Sequence, residues 1–151
     1  MGDIENQSRS SIRNLGWYWL PPLIWMALLF FVSAQSDPPG PQQPLLNELY
    51  TTIGHFVAYG FLAFWWYRAL RRVPSLAGGG ELHSHVARIA FLVTVLYGAS
   101  DEFHQSFVPG RDASLLDLMV DAVGAAVALI FVSWRGGDLW NGNTKGRNTK
   151  N

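Results

Sequence analysis

Four apolar segments alternate with shorter polar segments along the 151-residue chain. They cover about 17–34, 51–70, 86–107 and 114–134. A helix of about 20 apolar residues crosses a bilayer, and none of the segments shows the strict alternation of a barrel strand. The pattern therefore predicts an all-α protein, an integral membrane bundle of four helices.

Proline and glycine mark the predicted ends of these helices. Prolines recur within 35–50, which predicts an extended loop, and the glycines at 78–80 predict a flexible loop. Pro21 and Pro22 are expected in the first turns of the first helix, where proline costs little. Gly124 belongs to a series of small residues that predicts close packing of the fourth helix.

The composition supports a membrane location and narrows the function. Hydrophobic residues make up 49% of the chain and charged residues only 15%, against about 25% charged in a soluble domain. The absence of cysteine excludes disulfide frameworks and cysteine nucleophiles, and zero net charge argues against a nucleic-acid partner. We expect one domain over 17–134, a short cytoplasmic segment over 1–16 and a disordered cytoplasmic tail over 135–151.

The basic residues predict the orientation in the membrane. Ten of the eleven precede the first helix, flank the loop between the second and third, or follow the fourth, and only Arg111 is on the other side. The positive-inside rule then places both termini in the cytoplasm. Arg9 and Arg13, followed by an apolar run and Val32-Ser33-Ala34, also fit a signal peptide, but the membrane-like remainder of the chain favours a retained helix.

Polar side chains gather at the predicted outer ends of the helices. A charged group facing lipid at mid-helix costs about 2.5–3.5 kcal/mol, so these groups should face each other or a water-filled cavity. We expect them to form a ligand-binding or other functional site. The candidate residues are His55, Tyr59, Asp101, Glu102, His104, Gln105, Arg111, Asp117 and Asp121.

Helical spacing and a turn refine this expectation. His55 and Tyr59 are four residues apart and share a helix face, and the spacing of Asp101, His104 and Gln105 places these three on one face of the third helix. The Pro-Gly turn at 108–112 brings Arg111 back over the third helix, so we expect its guanidinium to neutralise Asp101 or Glu102. Structural roles remain the alternative: a hydrogen bond to a neighbouring helix, or pairing of first-turn acids with the helix dipole.

Three motifs and the residues that follow them carry a family pattern. They are SAQS at 33–36, HFVAYG at 55–60, GASDEFHQSFVPGRDAS at 98–114, and Asp117, Asp121 and Gly124. This combination resembles the signature of the VanZ-like family, small bacterial membrane proteins named after a teicoplanin-resistance factor. The resemblance covers roughly 17–134.

The resemblance implies an envelope protein of the bacterial cytoplasmic membrane that contributes to teicoplanin resistance. Its ligand would be an amphiphile at the outer leaflet: a lipoglycopeptide, a lipid headgroup or a lipid-linked cell-wall precursor. Two positions depart from the family pattern, Thr52 in place of a frequent lysine and Asp121 in place of a frequent asparagine. If the family's site balances its charge internally, this member would hold an extra proton or a cation.

Two other functions remain open. A membrane-embedded hydrolase or transferase would use Asp, Glu and His on a lipid-linked substrate, and such groups also bind divalent metals. The sequence contains no nucleophile elbow, His-Glu-x-x-His or phosphate loop, however. A transporter would require a homo-oligomer, because four short helices are few. The sequence assigns no cofactor and no metal.

Overall fold

A computed structural model describes the backbone of residues 2–36, 40–73 and 80–145, and the side chains of 16–36, 40–73 and 84–135. It contains four α-helices: α1 (Gly2–Ser33), α2 (Pro44–Leu70), α3 (Gly80–Gln105) and α4 (Leu115–Lys145). No strand occurs within the described ranges. The predicted all-α, four-helix fold is confirmed.

The helix α2 begins earlier than predicted. Its first residue is Pro44, and the amide of Asn47 donates to the carbonyl of Gln43 at 2.9 Å. Proline fits the first turn of a helix because a backbone N–H at that position makes no hydrogen bond within the helix, so its absence costs nothing. The prediction of an extended loop is therefore wrong for residues 44–50, where proline starts a helix instead of preventing one.

The two adjacent prolines lie inside α1, so the prediction that they occupy its first turns is wrong. The helix α1 begins within the polar residues that precede the apolar segment, so the start of the apolar segment is not the start of the helix. Pro21 has no amide, so the carbonyl of Trp17 lacks the donor that a helix normally supplies four residues later. Arg68 of α2 approaches this carbonyl at 3.5 Å and lies 4.7 Å from the ring of Tyr18.

Glycines bring α2 and α4 into close contact, and these two helices form the most extensive interface of the bundle. A Cβ atom at Gly124 would collide with the carbonyl oxygen of Phe56 and lie 3.0 Å from its carbonyl carbon. A Cβ atom at Gly60 would lie 3.2 Å from the carbonyl oxygen of Gly124. The close crossing therefore depends on glycine, which has no side chain, at both positions, as close packing of membrane helices often does.

The outer surface of the bundle is strongly apolar. Two segments, Gly16–Ser33 and Leu115–Arg135, are long and apolar enough to cross a membrane. Large side chains such as Phe31, Leu96 and Ile130 are more than two-thirds exposed, whereas soluble monomers rarely expose large apolar patches. These features are typical of a protein embedded in a bilayer.

The ends of the chain leave two sequence predictions open. The helix α4 continues to Lys145, past the predicted end of the fourth membrane segment at 134. The backbone of the predicted disordered tail is thus helical as far as 145, whereas 146–151 lie outside the described residues and disorder there stays a prediction. The predicted glycine loop also falls largely outside them, because 74–79 are not described, but Gly80 belongs to α3, which begins there instead of at the predicted 86.

Candidate functional site

Cross-helix hydrogen bonds bring the predicted polar residues together at one end of the bundle. His55 Nδ1 lies 3.0 Å from Asp121 Oδ1, which joins α2 to α4. Tyr59 Oη donates to Asp101 Oδ2 at 3.1 Å, which joins α2 to α3. We call this group the polar cluster; its members are His55, Tyr59, Asp101, Glu102, Gln105, Arg111 and Asp121.

A tight turn after α3 positions the arginine of the polar cluster. The amide of Arg111 donates to the carbonyl of Val108 at 3.1 Å, with Pro109 and Gly110 between them. Gly110 has a φ of 81°, a left-handed conformation that glycine adopts without steric cost. A Cβ atom there would also lie 3.2 Å from the carbonyl of Ser36, so the turn packs closely against the segment after α1.

Arg111 does not neutralise an acid directly, and the prediction that it pairs with Asp101 or Glu102 is wrong. Within the described part of the chain, its guanidinium donates to Gln105 Oε1 at 3.1 Å and forms no ion pair with either acid. Gln105 Nε2 in turn donates to Asp101 Oδ2 at 3.1 Å. The amide lies between the two charges because it accepts from one partner and donates to the other.

Glu102 is bonded to the start of α4. Its Oε2 atom accepts the backbone N–H of Ser114 at 2.7 Å, and Ser114 Oγ accepts the N–H of Asp117 at 3.2 Å. Ser114 thus serves as the N-cap of α4, the usual position for serine. Asp117 lies in the first turn of that helix, where an acid pairs favourably with the helix dipole.

Three buried carboxylates each retain an oxygen without a hydrogen-bond partner among the described residues. These atoms are Asp101 Oδ1, Glu102 Oε1 and Asp121 Oδ2. Asp121 is fully buried, while Glu102 is 7% exposed and Asp101 is 5% exposed. Burying a charge without compensation costs far more than burying a paired one, so a proton or a cation bound at these oxygens would stabilise the site.

Three members of the polar cluster have the geometry of a metal site. His55, Glu102 and Asp121 each offer one ligand atom, and these atoms all lie within 4.8 Å of one another. One residue comes from each of α2, α3 and α4. An imidazole nitrogen and carboxylate oxygens are common ligands of divalent metals.

A cavity of about 460 Å³ opens beside the polar cluster. One wall is apolar and comes mainly from α1, and the other is polar and comes from α2, α3 and the turn. The apolar wall includes Trp25, Leu28, Leu29 and Val32, and the polar wall includes His55, Tyr59, Asp101, Gln105 and Arg111.

One predicted site residue turns away from the polar cluster. The ring of His104 stacks on Phe30 of α1, with the two centroids 4.5 Å apart. Its Nε2 atom is buried without a partner among the described residues. His104 therefore belongs to the contact between α1 and α3.

Two residues near the site were not among the candidates from the sequence. Ser33, 4% exposed, lines the cavity with a hydroxyl that has no partner in the described part of the chain. Ser114 caps α4 and binds Glu102. Both lie within the sequence motifs 33–36 and 98–114, so the motifs contained the signal although the residue types alone did not.

Comparison with known proteins identifies the family. No curated protein and no solved structure matches the chain. The family model described as VanZ/LLP1 matches residues 18–136, which include the four apolar segments except Trp17 and the whole polar cluster. The chain therefore belongs to the VanZ/LLP1 family.

Proposed function

We propose that this protein recognises an amphiphilic molecule at the outer face of the bacterial cytoplasmic membrane, and so contributes to resistance against lipoglycopeptides such as teicoplanin. The observation that carries the proposal is the cavity with one apolar and one polar wall. A molecule with an acyl chain and a polar head would bury both parts there, since binding sites combine apolar walls with a few placed polar groups.

The proposed orientation places both termini in the cytoplasm and the cavity at the outer side. Arg68, Arg71 and Arg72 lie at the end of α2 opposite the polar cluster. The guanidinium of Arg68 lies 5.4 Å from the ring of Trp65, and that of Arg71 lies 5.6 Å from the ring of Tyr67. Basic and aromatic side chains together are typical of a cytoplasmic membrane interface.

The polar wall offers both kinds of hydrogen-bonding group to a polar head. Arg111 is partly exposed and supplies a cation, while the buried amide of Gln105 holds it in place. Asp101 supplies carboxylate oxygens, one of which has no hydrogen-bond partner among the described residues. On the opposite side, Trp25 donates its ring N–H to the carbonyl of Ala58 at 2.9 Å, which fixes an aromatic surface against the acyl chain.

The test compares variants in a teicoplanin-sensitive bacterial host. His55→Ala, Glu102→Gln and Gln105→Ala should each abolish protection while the protein reaches the membrane at normal levels. Leu92→Ala and Ile130→Ala are matched controls, because both side chains are more than half exposed on the outer surface away from the polar cluster; these should keep protection.

A second arm tests the need for an acyl chain. The same strains are exposed to a glycopeptide that lacks the acyl chain, and wild-type protein should protect much less against it than against teicoplanin. Equal protection would show that the apolar wall does not contribute. Wild-type levels of protection in all three cluster variants would overturn the proposed site, and no protection by the wild type would overturn the resistance function.

The grouping of His55, Glu102 and Asp121 supports a second candidate, an enzyme acting on a lipid-linked substrate. An imidazole and carboxylates in contact can serve as acid, base or metal ligands. Purified protein incubated with a lipid-linked cell-wall precursor would then change the mass of that lipid. A lipid that is bound but recovered unchanged would favour recognition instead.

A further inference from the structure

We propose that His55, Glu102 and Asp121 bind a divalent first-row transition-metal cation, such as Zn²⁺ or Mn²⁺. The proposal goes beyond the recognition function and does not depend on it. It rests on the placement of three ligand types by three helices, on the unpaired negative charge among them, and on a hydrogen bond that orients one of the ligands.

The three side chains converge from α2, α3 and α4. Their ligand atoms lie within 4.8 Å of one another, and His55 Nδ1 and Asp121 Oδ1 are 3.0 Å apart. Nitrogen and oxygen ligands about 2.0–2.2 Å from a zinc ion are separated from each other by roughly 3–4 Å. Small side-chain movements would therefore bring all three atoms to one ion without moving a helix.

Carboxylates outnumber the imidazole around this position: His55 Nδ1 lies 3.0 Å from Asp121 Oδ1 and can pair with it, whereas Glu102 forms no ion pair among the described residues. Glu102 Oε1 and Asp121 Oδ2 have no hydrogen-bond partner among the described residues. The nearby guanidinium of Arg111 is bonded to Gln105 and makes no ion pair with these acids in the described part of the chain. A cation bound between the carboxylates would satisfy their oxygens and remove most of the cost of burying them.

A hydrogen bond from the backbone fixes the carboxylate of Glu102 in place. Its Oε2 atom accepts the backbone N–H of Ser114 at 2.7 Å, which leaves Oε1 to face a cation. Metal-binding carboxylates are commonly fixed by such second hydrogen bonds. The same contact links the proposed ion to the first turn of α4.

The ligand set selects the class of metal. A single imidazole nitrogen with two carboxylates suits Zn²⁺ or Mn²⁺, whereas Mg²⁺ and Ca²⁺ prefer oxygen ligands only. Three protein ligands also leave at least one coordination position open. Of the three proposed ligands, His55 lines the cavity, so the ion would lie beside the cavity wall.

The test measures metal binding by the full chain in detergent, purified with a tag that contains no histidine and treated with a chelator. Elemental analysis after addition of Zn²⁺ or Mn²⁺ should find one equivalent in the wild type. His55→Ala, Glu102→Gln and Asp121→Asn should lose it; the last two keep the shape of the side chain and preserve folding. Loss of an outer-shell partner alone costs about 10- to 100-fold in affinity, so loss of a ligand should cost about 100-fold or more.

Two matched controls separate this site from adventitious binding. Glu48→Gln removes an exposed acid from α2, and His104→Ala removes a half-buried imidazole that stacks on Phe30; both variants should bind Zn²⁺ as the wild type does. Folded wild-type protein that binds no metal, or trio variants that bind as well as the wild type, would overturn the proposal. Teicoplanin protection is scored separately, so metal binding without protection refutes only the recognition function.

Discussion

The crossing of α2 and α4 predicts that Gly124→Ala destabilises the protein although alanine is the better helix former. The new Cβ atom would collide with the carbonyl oxygen of Phe56 and lie 3.0 and 3.1 Å from its carbonyl carbon and Cα. All three contacts are with main chain, which cannot rotate away. Overpacking costs about 1–3 kcal/mol, and the rigid neighbour places this case near the upper limit.

Gly54→Ala is the matched control on α2. A Cβ atom at Gly54 meets nothing within 4 Å, so this variant should gain the helix preference of alanine, up to about 1 kcal/mol. The same preference acts in Gly124→Ala and reduces its net loss to about 2 kcal/mol. The difference between the two variants isolates the cost of the collision, about 3 kcal/mol.

The measurement is the free energy of unfolding in mixed micelles with increasing denaturing detergent, followed by helical circular dichroism. Gly124→Ala should unfold at lower denaturing detergent than wild type, and Gly54→Ala at equal or higher detergent. Stabilities of the two variants that agree within about 0.5 kcal/mol would show that α2 and α4 do not cross this closely.

Other features of the site and of its orientation give three shorter predictions. Tyr59→Phe removes a buried donor to Asp101 and should cost about 1–3 kcal/mol in the same unfolding assay; unchanged stability would contradict that hydrogen bond. Arg111→Ala removes one hydrogen bond to an amide and should cost about 1.5 kcal/mol, whereas a loss of about 3–5 kcal/mol would indicate a buried ion pair after all. On intact cells, an impermeant maleimide should label Gln42→Cys, exposed before α2, and spare Ala77→Cys, which lies outside the described residues; the reverse pattern would refute the proposed orientation.

The sequence predicted the four helices well because long apolar segments leave few alternatives. It did not predict where α1 and α2 begin, because proline can either start a helix or lie inside one. Pro44 begins α2, while Pro21 lies inside α1. Proline excludes only a helical position that needs its amide, and apolar patterning does not reveal where the first turn begins.

The sequence also predicted which residues would meet, but not how they would pair. Four-residue spacing correctly placed Gln105 beside Asp101. His104 is three residues from Asp101, yet its ring packs against α1. Spacing places residues on one helix face, but the positions of the neighbouring helices decide which helix each residue contacts. The partner of Arg111 was likewise set by the turn, which brings its guanidinium to the amide oxygen instead of a carboxylate.

The apolar wall of the cavity is supplied by the helix with the fewest contacts in the bundle. The helix α1 packs mainly on α2, touches α3 less, and does not share the close glycine crossing of α2 with α4. A sideways shift of α1 would therefore break fewer contacts than a shift of any other helix. Under the proposed function, a lipid-like guest would then enter from within the plane of the bilayer, between α1 and its neighbours, with its chain remaining in hydrocarbon along the whole route.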